Sequence, residues 1–193
     1  MTHMENKFLE NYFLKLKNLL DFKKEDISNL IASSVLMKEA QKKNKKTLIF
    51  GNGGSAAIAS HFSVDLTKNA KIRCTNYNES DLLTCFSNDF GYENWVQKAI
   101  EFYADKDDIL ILISSSGNSK NMINAAKNAK KFGIKSIITF SGNKDGNKLQ
   151  KMGDINFWVN SSSYNHIENV HQILLLSIVD LIIGKSESNF NQS

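Results

Sequence analysis

Residues 47–66 read Thr-Leu-Ile-Phe-Gly-Asn-Gly-Gly-Ser-Ala-Ala-Ile-Ala-Ser-His-Phe-Ser-Val-Asp-Leu. Four residues, three of them large and apolar, stop abruptly at Gly51, as a strand buried on both faces does. Ala56 to Leu66 then carries helical periodicity. A strand handing over to a helix through Gly-Asn-Gly-Gly-Ser is the local unit of a parallel sheet wrapped by right-handed crossovers. The same unit recurs downstream. Ile109 to Ile113 is a second buried strand, ended by Ser114-Ser115-Ser116-Gly117-Asn118-Ser119, and Met122, Ile123, Ala126, Ala129 and Phe132 continue as a helix closed by Gly133. Ser136 to Phe140 and Ile155 to Val159 supply two further strands. Weaker strand candidates lie near Ile72 to Thr75 and Leu82 to Phe86, before a helix carrying Trp95, Val96, Ala99, Ile100 and Tyr103.

Outward from this centre, Phe8, Leu9, Tyr12, Phe13, Leu16, Leu19 and Leu20, then Ile27, Leu30, Ile31 and Val35, give two amphipathic helices. The final helix, about Ile167 to Ile183, is apolar on nearly every side, which calls for burial from several directions and suggests a subunit interface. The 193 residues read as one domain, with N-terminal helices over 1–45, an α/β core and C-terminal helix over 46–185, and a frayed tail over 186–193. Hydrophobic residues at 41% and charged residues at 23% are the balance of a soluble globular protein. A net charge of +4 is too small to indicate a nucleic-acid partner. The longest apolar run, Ile173 to Ile183, is too short to cross a bilayer and no signal-peptide core appears, so a cytoplasmic location without membrane contact is expected. Cys74 and Cys85 have no metal or redox spacing and read as buried thiols.

The two Gly/Ser turns stand at strand C-terminal ends, where open parallel sheets bind ligands. Glycines that allow positive φ, with hydroxyls ahead of a helix N-terminus, make anion cradles. Neither turn matches a nucleotide signature, so the phosphate group of a small organic molecule is the expected ligand. His61 and Asp65, four apart on the first of these helices, share one face, a spacing that also suits a metal.

Residues 50–66, Ser87-Asn88-Asp89-Phe90-Gly91 and Ile113 to Ser119, in that order and spacing, resemble the sugar isomerase (SIS) domain, and within it the phosphoheptose isomerases. The resemblance implies a flavodoxin-like three-layer sandwich on a five-stranded parallel sheet. It also implies a homotetramer with the terminal helices between subunits and active sites near subunit boundaries. Such enzymes interconvert sedoheptulose 7-phosphate and a heptose 7-phosphate for surface-polysaccharide (lipopolysaccharide or capsule) synthesis. Carried onto this chain, Ser114, Ser115, Ser116 and Ser119 hold the phosphate. Asn52, Gly53 and Gly54, with Ser55, line the sugar site, and Asn88 and Asp89 contact the sugar hydroxyls.

The chain departs from the family's pattern at the reacting centre. The family's glutamate, base and zinc ligand, is Asp65 here. Its glutamine and, eight residues later, its second acid/base and zinc-binding histidine are Glu168 and Leu176, and an arginine is Asn69. Aldose–ketose chemistry moves a proton between C1 and C2 through an enediolate and needs a base and a polarising group. The expected pair is Asp65 with Glu168, and His171, which with Glu168 and Gln172 shares a helical face, stands in for the missing histidine. His61, Asp65 and Glu168 are the corresponding zinc ligands. The alternative is a catalytically altered tetrameric SIS scaffold, like the replication-initiation regulator that binds the initiator protein DnaA.

Overall fold

The computed structural model describes residues 3–185, and the tail expected to fray over 186–193 lies outside them. In chain order the elements are α1 (His3–Leu19), α2 (Lys24–Lys42), β1 (Thr47–Phe50), α3 (Gly54–Lys68), β2 (Cys74–Thr75), α4 (Ser80–Phe90) and α5 (Trp95–Tyr103). Then come β3 (Ile109–Ser114), α6 (Lys120–Asn128), β4 (Ser136–Gly142), β5 (Ile155–Val159) and α7 (Tyr164–Ile183). The five strands form one sheet in the order β2-β1-β3-β4-β5, every neighbour parallel. The expected α/β class and five-stranded parallel sheet are what the structure has.

The alternation of side chains across β1 and β3 builds two cores. Ile49, Ile109, Ile111 and Ile113 face α2, α3 and α7 with Phe62, Leu66, Leu174 and Ile178. Leu48, Phe50, Leu110 and Leu112 face α5 and α6 with Trp95, Ile100 and Met122. At the edge away from the Gly/Ser turns, buried Asp108 accepts from the Lys46 amide at 2.9 Å and pairs with its ammonium at 2.7 Å. This tie fixes the Thr47 to Ile109 register, and so the relative height of the two turns.

Three expectations change. Leu82 to Phe86 lies within a helix, α4: Leu82, Leu83, Phe86 and Phe90 recur at helical spacing, and Phe86 packs on Phe90 and Phe102 at 5.8 and 5.7 Å. Cys85 is exposed rather than buried. The last helix is longer than the apolar run suggested. Its 20 residues suffice by length and composition to span a membrane, yet they pack against α2 and α3, with Val170, Leu174, Leu175 and Ile178 buried in the core.

Candidate active site

β1 and β3 are neighbours, so the two turns open at the same edge of the sheet. At the first, a Cβ on Gly51 would lie 2.4 Å from the Ser55 carbonyl oxygen, and Gly53 has φ +54°. Only glycine lets the chain reverse this tightly into α3. At the second, Gly117 has φ +66° and a Cβ there would meet the Asn147 amide at 2.1 Å. Asn147 is itself buried, donating to Ser141 Oγ at 3.0 Å and accepting from the Gln150 amide at 3.0 Å. The serine turn is therefore backed by a fixed loop.

The hydroxyls are ordered among themselves. Ser114 Oγ donates to Ser119 Oγ at 2.9 Å, and Ser116 Oγ accepts from the Asn118 amide at 3.2 Å. Ser115 Oγ is buried with no protein partner. Together with Asn52, Ser55, Tyr164 and Glu168, these serines line a cavity of about 110 Å³ at the start of α6. Larger hollows exist, one of about 830 Å³ between α1 and the segment before α7. It is the smaller one that brings both turns together with a carboxylate. No Lys, Arg or His is among its lining residues, so an anion held here relies on hydroxyls, N–H groups and the helix N-terminus.

Asn52 does not swing freely. Its amide and that of Asn121 donate to each other at 3.1 and 2.8 Å, and Tyr92 Oη donates to Asn52 Oδ1 at 3.1 Å. Asn121, Tyr92 and Tyr164 are site residues that sequence reading missed. Asn121 gave no distinct signal, being one of several polar side chains on α6 beside Lys120, Asn124, Lys127 and Asn128. The structure places Asn88 and Asp89 outside this cavity. Both are exposed on the last turn of α4, the Asn88 amide donating to Asp89 at 2.9 Å, and neither lines the cavity. Tyr92 reaches the glycine turn in their place.

The reacting groups fall into two clusters. Glu168 lies against the first residue of α3, so that a Cβ on Gly54 would stand 2.2 Å from its Oε2. A helix N-terminus is where a carboxylate is favoured. Asp65 is eleven residues further along that helix, about 16 Å of axial rise. There it pairs with His61, Nε2 to Oδ2 at 3.3 Å, and accepts from Asn69 Nδ2 at 3.2 Å. Within one protomer, Asp65 and Glu168 therefore do not flank one sugar carbon. His171 joins neither cluster. It is fully buried, bonds through Nε2 to the Ser141 carbonyl at 3.0 Å and stands edge-on to Phe140 at 5.7 Å. Burial pushes its pKa down to about 4. The role expected for it is withdrawn: its ring is a packed core group.

Within a single chain the donor set does not gather around the zinc that the resemblance implies. Among the described residues no three His, Cys, Asp or Glu side chains come together as a metal site. Glu168 stands apart from His61 and Asp65, and Leu176 carries no lone pair to offer.

The SIS-domain family profile matches residues 11–141. Phosphoheptose isomerase from Helicobacter pylori (strain P12) is 33% identical over 186 residues, covering 93% of this chain and 96% of that protein. Its namesake from Aliarcobacter butzleri is 37% identical over 156 residues, covering 78% and 82%. Among solved structures, phosphoheptose isomerase from Neisseria gonorrhoeae superposes with a TM-score of 0.83 at 27% identity, covering 93% of this chain and 98% of that one. The phosphoheptose isomerase from Francisella tularensis gives 0.82 at 25%, covering 96% and 100%.

Proposed function

The chain belongs to the SIS-domain family, in its phosphoheptose isomerase branch, and from that premise we propose that it interconverts sedoheptulose 7-phosphate and a heptose 7-phosphate. The observation that carries this reading is the cavity where the Ser114 to Ser119 turn, Ser55 and the Glu168 carboxylate meet. Its serine end suits the phosphate group, received by hydroxyls and by the N–H groups that open α6. The unpartnered Ser115 hydroxyl adds a donor. Glu168 then faces the carbon chain.

The chemistry is a pair of balanced proton shifts. A carboxylate takes the C1 proton while the C2 carbonyl oxygen gains one, giving the enediol. The O1 proton then leaves, C2 receives a proton, and the aldose results with no oxidant or reductant. Glu168 is the group this protomer places beside the phosphate cradle. At about 110 Å³ the cavity takes a phosphate but not a whole seven-carbon sugar, so the sugar must extend past its mouth. The reading completes the site with a neighbouring copy in a homotetramer, whose Asp65 stands opposite Glu168. The exposed apolar side chains Phe8 and Phe13 on α1, Ile31 and Val35 on α2, and Ile173 and Leu181 on α7 support such an assembly. Within this reading the enzyme works in the cytoplasm and, as the resemblance implies, supplies surface-polysaccharide synthesis.

The test is turnover of sedoheptulose 7-phosphate by wild type, Glu168→Ala and the double variant Ser116→Ala/Ser119→Ala. Glu168→Ala is expected to lose on the order of a hundredfold or more in kcat, the usual worth of a positioned acid or base. The serine double variant should chiefly raise KM. Equal turnover by wild type and Glu168→Ala, or none by wild type at saturating substrate, contradicts the proposal, and the second outcome favours the scaffold.

A further inference from the structure

Gln172 donates through Nε2 to His61 Nδ1 at 3.0 Å. An amide N–H at Nδ1 requires a lone pair there, so the neutral ring carries its proton on Nε2. That nitrogen is 3.3 Å from Asp65 Oδ2, and the other carboxylate oxygen accepts from Asn69 Nδ2 at 3.2 Å. His61 and Asp65 on α3 and Asn69, which caps its C-terminus, follow one another every four residues, and Gln172 reaches His61 from α7. Both ring nitrogens and both carboxylate oxygens thus have protein partners. To reach the ring a cation would have to displace the Gln172 bond at Nδ1 or the Asp65 contact at Nε2, and Leu176, one turn beyond Gln172, supplies no further ligand.

We propose that this chain replaces the metal centre implied for its family with a metal-independent His61–Asp65 pair, in which Gln172 and Asn69 are the positioning residues. Gln172 selects the ring tautomer and Asn69 orients the carboxylate, so the ring nitrogen that carries the proton stands within ion-pair distance of Asp65. The changes from the family pattern then form one set. Losing the histidine at Leu176 removes a ligand, and Asn69 in place of arginine gives Asp65 a neutral donor. His61 and Asp65 retain 48% and 29% side-chain exposure, which leaves the pair open to a sugar held by a neighbouring copy. The proposal rests on the isomerase reading for its purpose, but its geometry can be tested without turnover.

The experiment is zinc titration by calorimetry together with nitrogen-15 NMR of the His61 ring, on the full chain and on His61→Ala, Gln172→Leu and Gln172→Glu. The expected result is no zinc binding that depends on His61, and a wild-type ring protonated on Nε2 alone. Gln172→Glu presents an acceptor in the same place and should move the proton to Nδ1. With turnover as a further readout, it should lower kcat by on the order of tenfold to a hundredfold at unchanged KM, as Gln172→Leu should more mildly. One His61-dependent zinc per chain overturns the proposal, as does a ring proton on Nδ1 in wild type or one that stays on Nε2 in Gln172→Glu. Absence of isomerase activity from the wild-type chain would instead sink the functional reading, leaving the ring and zinc measurements to judge the pair.

Discussion

The side-chain amides of Asn52 and Asn121 donate to each other, at 3.1 and 2.8 Å, and so lock the glycine turn after β1 to the helix that follows the serine turn after β3. Asn121 is 2% exposed, so its side of this pairing is made away from water. Asn121→Asp removes the donor and sets carboxylate oxygens against Asn52 Oδ1. Asn52 can answer only by turning its amide and giving up the bond from Tyr92. A buried polar group stripped of its partner costs about 1–3 kcal/mol. We expect a lower urea midpoint and weaker phosphate binding in Asn121→Asp, with Tyr92→Phe showing a smaller loss of the same kind. Unchanged midpoint and affinity in Asn121→Asp would mean that the turns hold their geometry independently.

Gly54→Ala places a methyl group where the Glu168 carboxylate now lies, 2.2 Å from Oε2. The carboxylate is the far end of a flexible side chain and can swing aside, so the fold should persist while the site does not. Thermal unfolding close to wild type, combined with a fall in kcat approaching that of Glu168→Ala, is the expected pair of results. Full turnover would show that Glu168 works from another position.

Burial of His171 makes stability depend on pH. Its folded pKa is about 4 against an ordinary 6.5, so between those values the unfolded chain binds more protons than the folded one. The stabilisation is fully present above pH 6.5, is lost as pH falls towards 4, and changes no further below. The loss is on the order of 3 kcal/mol across the window. His171→Gln, which can still donate to the Ser141 carbonyl, should flatten the dependence between pH 5 and 6.5, where few carboxylates titrate. An identical slope in wild type and His171→Gln, read from urea midpoints, would contradict the assignment.

The sheet was legible because its strands are buried on both faces. Leu48 and Phe50 look one way and Ile49 the other, so apolar runs with abrupt glycine or serine ends marked β1 and β3 without ambiguity. Leu82 to Phe86 misled because a short apolar run on a surface helix has the same composition as an edge strand. The serine cradle was legible in one dimension, its residues being contiguous. Asn121 with Asn52, and Gln172 with His61, were not, since each pair is separated by a long stretch of chain and meets only through the crossover topology. The distance from Asp65 to Glu168 was hidden for the same reason: matching residues to a pattern says nothing of how far apart the fold sets them.

The central claim is that the cavity uniting the serine turn with Glu168 serves proton transfer at C1 and C2 of a ketose phosphate. Incubation of the wild-type chain with sedoheptulose 7-phosphate in deuterated water, followed by NMR, tests it most directly. The account predicts an aldose heptose 7-phosphate carrying solvent deuterium at C2, formed at a rate that collapses in Glu168→Ala. Sugar phosphate bound at saturation, with neither aldose nor deuterium exchange at the reacting carbons, would contradict it.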